Sequence, residues 1–218
     1  MGDFDEKIVR LKNALVIRDR KSFMDLTREL VEKGIDPVDL IERGFRAGME
    51  EVGRKFEALE IFIPDMIEAA GIMEDGLRIL RPILEKKKEL KTLGRVVLGT
   101  IQGDVHEIGK NIVKIMLQGA GFEVIDLGRD VEIMRFVDCV RNEKPDLVGI
   151  SALMTNTMVN IPKVIEYLRE LGLRDSVKVM VGGAPVLEEW ALKIGADGYG
   201  ENAMEAVEVA KKLLNIKN

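Results

Sequence analysis

A single histidine, His106, and a single cysteine, Cys139, are all that 218 residues offer of the two side chains that most often hold transition metals. One cysteine excludes an internal disulfide and a cysteine-built zinc site, and one histidine excludes a multi-histidine metal centre. Both scarcities suit a reducing cytoplasm, the expected location. Long apolar runs are missing as well. The first ten residues carry no stretch resembling a signal peptide, and no run approaches the roughly 18 residues that a membrane span needs. Nor is there a surplus of positive charge: 33 Lys and Arg stand against 38 Asp and Glu, a net charge of −5, and neither half of the chain is strongly basic. Nucleic acid and membrane are therefore not expected partners. Aromatics make up only 5%, so the 46% hydrophobic fraction is largely aliphatic, and the length suits one large or two small domains.

What is present divides in two. Up to about residue 90, apolar residues recur at helical spacing and predict four helices. The first spans Phe4 to Val16, with Phe4, Ile8, Leu11 and Leu15 on one face. The second starts at Ser22, a capping hydroxyl with Asp25 three residues on, and ends near Gly34. The third opens with Asp36-Pro37 and buries Val38, Ile41, Phe45, Met49, Val52 and Phe56. The fourth follows Pro64 and carries Met66, Ala70, Met73, Leu77, Leu80 and Leu84. Long helices with short connections read as an antiparallel four-helix bundle, a domain of residues 1–90. The charged segment Glu85–Lys91 is the expected linker, reaching to about residue 94. Beyond it, residues 95–101, 122–127, 146–152, 177–181 and 196–199 are short Val- and Ile-rich runs separated by helix-length segments. Such strands imply a parallel sheet covered on both faces, so residues 95–218 are expected to form a five-stranded, flavodoxin-like (Rossmann-like) α/β domain.

In that fold ligands bind at the C-terminal ends of the strands. After the first strand, the chain places Gly99, Gly103, Gly109, Asp104 and His106 in one loop. The glycine spacing fails the dinucleotide fingerprint, and Asn111 after Lys110 fails the P-loop. A phosphorylatable receiver domain would need an aspartate where this chain has Ser151. The pair Asp104 and His106 remains. A carboxylate two residues before an imidazole can accept a hydrogen bond from one ring nitrogen and leave the other free as a base or a metal ligand. One histidine cannot hold a bare ion, but it can be an axial ligand to a metal already held by a macrocycle. A surface histidine capping the next helix is the plainer alternative.

The wider spacing bears on that choice. Asp104-x-His106-x-x-Gly109 is followed after 41 residues by Ser151-x-Leu153, and after 28 more by Gly182-Gly183. This pattern resembles the cobalamin-binding module of corrinoid-dependent methyltransferases, including methionine synthase. The segments Gly48–Phe56 and Ile61–Met66 are similar to that family's helical cap. The resemblance implies cobalamin bound base-off, with His106 as axial ligand to cobalt, Asp104 hydrogen-bonded to the ring's other nitrogen and Thr157 completing the relay. It assigns Gly109, Ser151, Leu153, Thr155, Gly182 and Gly183 to cofactor binding, the last two where the buried tail passes close to main chain. Phe56 and Ile63 match cap positions over the corrin's upper face. The relay would tune the alkylation state of cobalt, since the histidine bond is made and broken with each transfer.

The function so implied is a corrinoid methyl carrier. It would be loaded by a substrate-specific methyltransferase and unloaded by a second one onto coenzyme M or tetrahydrofolate, with a reductive activase as a further partner. It is a shuttle subunit rather than an autonomous enzyme. Two alternatives stay open: a cobalamin-sensing regulator, whose relatives carry a helix-turn-helix before the cap, and the small subunit of an adenosylcobalamin mutase, which typically lacks the cap. The methyl donor and acceptor are not legible at this level.

Overall fold

A computed structural model describes residues 3–87 and 92–216. The chain divides into two compact units, Met1–Lys91 and Thr92–Asn218. The first consists of α1 (Asp3–Val16), α2 (Arg20–Glu32), a third rod made of α3 (Pro37–Asp39), a π-helical stretch (Leu40–Arg46) and α4 (Ala47–Glu57), and finally α5 (Ile63–Lys87). Ile8, Leu11, Leu15, Phe23, Leu30, Phe45, Met49, Val52, Met66 and Leu80 are buried, as helical periodicity requires. Close approach of the rods needs small residues. A Cβ on Gly44 would lie 2.9 Å from Leu11 Cδ2, and one on Gly48 would lie 2.8 Å from Leu15 Cδ2.

Three details differ from the sequence expectation. The cap of α2 is Asp19, which accepts from Ser22 N at 3.0 Å and from the Ser22 hydroxyl at 2.6 Å, so the serine donates to a stronger acceptor instead of capping. Val38 is exposed and Leu40 is fully buried in its place. The cause is the π-helical stretch, in which the Ala47 N–H reaches back five residues to Glu42 O and shifts the helical phase. Phe4, expected on the buried face of α1, is 44% exposed at the start of the described chain. Asp36 does cap the third rod, accepting from Val38 N at 3.0 Å ahead of Pro37. The expected linker Glu85–Lys91 falls partly within α5, and its residues 88–91 lie outside the described residues.

The second unit is a parallel sheet of β1 (Arg95–Ile101), β2 (Glu123–Val131), β3 (Leu147–Ser151), β4 (Lys178–Gly182) and β5 (Gly198–Gly200), in the order β2-β1-β3-β4-β5. Around it lie α6 (Ile108–Ala120), α7 (Ile133–Glu143), the short α8 (Thr155–Met158), α9 (Ile161–Glu170), α10 (Glu188–Lys193) and α11 (Ala203–Leu213). Val97, Val148, Val179, Phe136 and Leu168 form part of one apolar layer with less than a few per cent of their surface in water. β2 runs four residues further than the apolar pattern indicates. A bulge lets it: Leu98 pairs with Asp126 but Gly99 pairs with Gly128, and Gly128 takes φ +89, open to glycine without steric cost. Strand order reverses between β1 and β3, so the loops after these two strands meet at the switch point.

Gly76 offers a test of the helical core. Its Cβ would meet Phe23 Cε1 at 2.6 Å and Phe45 Cε2 at 2.8 Å, two rings already packed with centroids 4.7 Å apart. Alanine in a helix interior gains about 1 kcal/mol over glycine, whereas overpacking a core costs about 1–3 kcal/mol. Gly76→Ala is expected to lower the thermal midpoint of helix loss, followed by circular dichroism. Gly71→Ala, whose Cβ would meet nothing closer than Arg20 Nη2 at 3.6 Å, is expected to raise it.

Candidate ligand loop at the end of the first strand

β1 ends at Ile101, and the chain turns through Gly103, at φ +88, into the loop that carries Asp104 and His106 before α6 begins. Asp104 is fully buried although it sits in a loop. A buried carboxylate is costly unless its oxygens are satisfied, and here both are. Oδ1 accepts from His106 N at 3.0 Å and lies 2.7 Å from His106 Nδ1. Oδ2 accepts from Leu153 N at 2.7 Å, from Met154 N at 3.2 Å and from the Thr157 hydroxyl at 2.9 Å. That hydroxyl is also 2.9 Å from Met154 O, but the ionised carboxylate is the stronger acceptor for its one proton. On the opposite side of the loop, the buried Thr100 hydroxyl donates to His106 O at 2.9 Å.

These contacts set the charge and the tautomer. Burial works to raise the Asp104 pKa, but the N–H groups of Leu153 and His106, the imidazole and the Thr157 hydroxyl together outweigh it and hold the carboxyl at about 2. An ionised Oδ1 at 2.7 Å from Nδ1 makes Nδ1 the protonated ring nitrogen, leaving the Nε2 lone pair unshared. The imidazole side chain is 46% exposed.

The surroundings fit a metal that arrives already held. Among the described residues, no three His, Cys, Asp or Glu side chains cluster to hold a metal ion, so His106 could supply one donor and no more. Val105 in the loop and Ile108 at the start of α6, on either side of it in sequence, are 56% and 65% exposed, an apolar surface beside a lone nitrogen donor. Gly109 lies in the first turn of α6, exposed, and beyond its own turn of helix nothing among the described residues lies within 4 Å of its Cβ position, so this side of the loop is open. A planar macrocycle with one open axial position satisfies all three features.

Of the other residues singled out in the sequence, Ser151 ends β3 and pairs with both Thr100 and Gly182, at the centre of the sheet's C-terminal edge. Leu153 follows it, 45% exposed, with its N–H on Asp104. Thr155, the first residue of α8, is exposed. The crowding recorded at Gly182 and Gly183 is with the chain's own backbone: their Cβ positions lie 2.6 Å from Gly200 O and 1.9 Å from Ala152 O. Phe56 and Ile63 belong to the helical unit, half-buried at the end of α4 and the start of α5. The connection between these helices leaves Leu59 77% and Phe62 66% exposed, a feature that periodicity does not register. Also unanticipated is a buried lysine. Lys110 Nζ sits 2.7 Å from Asp126 Oδ1 and 2.7 Å from Asn111 Oδ1, and Asp126 further accepts from Lys114 and from Gly128 N. Burial opposes the ionisation of Asp126, but these donors keep its pKa below the ordinary value.

Comparison with known proteins agrees in both units. Two family models, each described as a B12 binding domain, match residues 94–208 and 8–81. The chain is 51% identical over 217 residues to the trimethylamine corrinoid protein of Methanosarcina barkeri, covering 99% of this chain and 100% of that one. A chain of the methanol:cobalamin methyltransferase complex MtaBC from Methanosarcina barkeri superposes with a TM-score of 0.83 at 32% identity, over 100% of this chain and 82% of that one. A cobalamin-binding protein from Desulfitobacterium hafniense DCB-2 gives 0.78 at 32% identity, over 98% and 99%.

The Asp104 carboxylate carries a pH signature. Its folded pKa lies below the unfolded value, so its contribution to stability is complete above about pH 4 and is lost as pH falls toward 2. In the cofactor-free protein, Asp104→Asn is expected to cost roughly 2 to 3 kcal/mol at pH 7, as hydrogen bonds to a charged acceptor weaken. Urea unfolding of the wild type and the variant should show that gap narrowing between pH 4 and pH 2.

Proposed function

The chain belongs to the family of B12-binding corrinoid proteins, and from that premise we propose that it takes a methyl group from a methylamine methyltransferase and delivers it to a second methyltransferase, with His106 as the axial ligand of the bound cobalt. It is a corrinoid methyl carrier that works with methyltransferases. The corrinoid, when bound, supplies the cobalt centre that accepts and releases the methyl group. The protein's share is to bind, orient and shield.

One observation carries this reading. In a chain with a single imidazole, that imidazole has Nδ1 committed to a buried ionised carboxylate and Nε2 left with an unshared lone pair. Asp104 fixes the tautomer before any ligand arrives, so less ordering remains to be done on binding. Thr157, donating to Asp104 Oδ2, keeps the carboxylate satisfied whether or not His106 is ligated. We assign Ser151, Leu153, Thr155, Gly182 and Gly183 to the nucleotide tail of a cofactor bound base-off. Ser151 ends β3, one of the two strands that flank the switch point where ligands of such sheets bind, and Gly182 is its partner on β4. Gly109 we assign to the corrin itself. Phe56 and Ile63 are assigned to the cofactor on the family resemblance of the helical unit alone.

A methylamine is the proposed source of the methyl group, because the chain is 51% identical to a trimethylamine corrinoid protein and 50% identical, over 193 residues, to a dimethylamine corrinoid protein. Coenzyme M or tetrahydrofolate is the proposed acceptor, and a reductive activase restores the cofactor when it oxidises. The helical unit's own match to a B12 binding domain counts against the mutase small subunit. Among the described residues no helix is long and apolar enough to cross a membrane.

Two measurements test the proposal. The visible spectrum of methylcobalamin bound to His106→Ala should differ from that of the wild type; an unchanged spectrum would remove His106 from cobalt. Carrying cob(I)alamin, the wild type should be methylated at least tenfold faster by a trimethylamine:corrinoid methyltransferase with trimethylamine than by a methanol:corrinoid methyltransferase with methanol. The reverse order would move the chain to another donor class.

A further inference from the structure

The ligand loop is gripped from two sides, and the Asp104–Thr157 relay accounts for only one of them. The other grip comes from the far end of β2. Gly103 N donates to Asp130 Oδ1 at 2.7 Å, and Asp130 N donates to Asp104 O at 2.9 Å. One residue thus holds both ends of the Gly103–Asp104 dipeptide, through its carboxylate and its main chain.

Asp130 takes φ +51, a left-handed conformation that costs most residues about 1–2 kcal/mol and that glycine adopts freely. A turn alone would be better served by glycine. What glycine lacks is the acceptor for Gly103 N. The position of Asp130 is itself prepared by the β2 bulge, whose Gly128 N is bound to Asp126, and Asp126 is bound to the buried Lys110 of α6. Because α6 follows directly on the ligand loop, the loop, the helix and the strand close into a ring that Asp130 completes.

We propose that Asp130 is a positioning residue for the axial histidine, an inference that rests on the role given to His106 above. The Asp104 carboxylate is anchored to the β3 side through Leu153, Met154 and Thr157. The Asp130 clasp fixes the main chain of the same residue from the β2 side. Only with both ends fixed does Oδ1 stay at 2.7 Å from Nδ1, so that Nε2 presents its lone pair in one direction. Without the clasp the loop keeps the bonds of Asp104 N to Ile101 O at 3.0 Å, of Asn160 Nδ2 to Gln102 O at 3.2 Å and of the Thr100 hydroxyl to His106 O, but Gly103 N and Asp104 O lose their partners, and the contact with Nδ1 loosens.

The sole imidazole makes the test direct, since its 15N resonances need no assignment. Asp130→Gly accommodates the backbone and removes the acceptor; Asp130→Asn retains an acceptor oxygen and tolerates the same φ. In the cofactor-free full-length protein, Asp130→Gly should lower the ratio of the Nδ1–H to the Nε2–H tautomer roughly three- to tenfold, the worth of one hydrogen bond, and Asp130→Asn should restore it. With cob(II)alamin bound, the fraction of protein showing imidazole-nitrogen splitting in the electron paramagnetic resonance spectrum should fall and recover in the same order. A wild-type tautomer ratio and wild-type nitrogen splitting in Asp130→Gly would overturn the inference, as would a drop in thermal midpoint shared by both variants with neither signal moved. His106→Ala separates the two levels. In 15N-labelled protein with unlabelled cofactor, an axial imidazole gives a doublet and the cofactor's own benzimidazole a triplet; a triplet in the wild type, or a doublet that persists in His106→Ala, overturns the ligand assignment, whereas the tautomer ratio of the unloaded protein still decides the clasp.

Discussion

A carboxylate taken wholly out of water is tolerated only if the fold surrounds it with donors, and Asp104 shows what that demand does to a structure. Its oxygens draw on the backbone N–H groups of Leu153 and Met154, the hydroxyl of Thr157, and both the main chain and the ring of His106. These donors come from two loops separated by some fifty residues of chain. The loops after β1 and β3 are therefore not independent: each supplies what the other's polar groups need. The short α8, which brings Thr157 to the carboxylate, follows from the same demand.

The second buried charge serves the same edge. Lys110 lies in the first turn of α6, where the helix dipole disfavours a cation, and it is retained there by Asp126 and Asn111. A buried ion pair contributes little net stability once desolvation is counted, but it discriminates sharply among arrangements, because either partner left alone is expensive. Here the arrangement selected is the seating of α6 against β2 next to the ligand loop. Local preference is broken at Lys110, at Asp130 and at Gly109, three positions that all border the loop.

Much of this architecture is legible from residue order. The four helical rods follow from apolar steps of three and four, and the five strands from Val- and Ile-rich runs punctuated by helices, because both signals are local. The reading is weakest where a choice depends on what lies opposite. Asp19 displaces Ser22 as a cap because the helix starts earlier than the apolar pattern indicates, and Ser22, inside its first turn, gives both its N–H and its hydroxyl to the Asp19 carboxylate, while β2 outruns its apolar stretch because a bulge keeps it paired. Asp104 and His106 stand out within six residues. Thr157 came from family resemblance alone, while Thr100, Lys110 and Asp130 carried no signal: their partners lie 6, 16 and 27 residues away in sequence, with no fixed spacing to reveal them.

The π-helical stretch of the helical unit has a consequence of another kind. Ala47 reaching back to Glu42 means that the rod holds one residue more than a regular helix would need for the same rise. Removing one residue between Leu40 and Gly44 would let the stretch close into regular α-helix with Leu40 and Phe45 still on the same buried face. Met49 and Val52 would stay in the core that Gly44 and Gly48 bring close. The surplus residue is absorbed where it stands: a one-codon deletion is tolerated in this stretch, whereas in a regular helix it would turn everything downstream by about 100°.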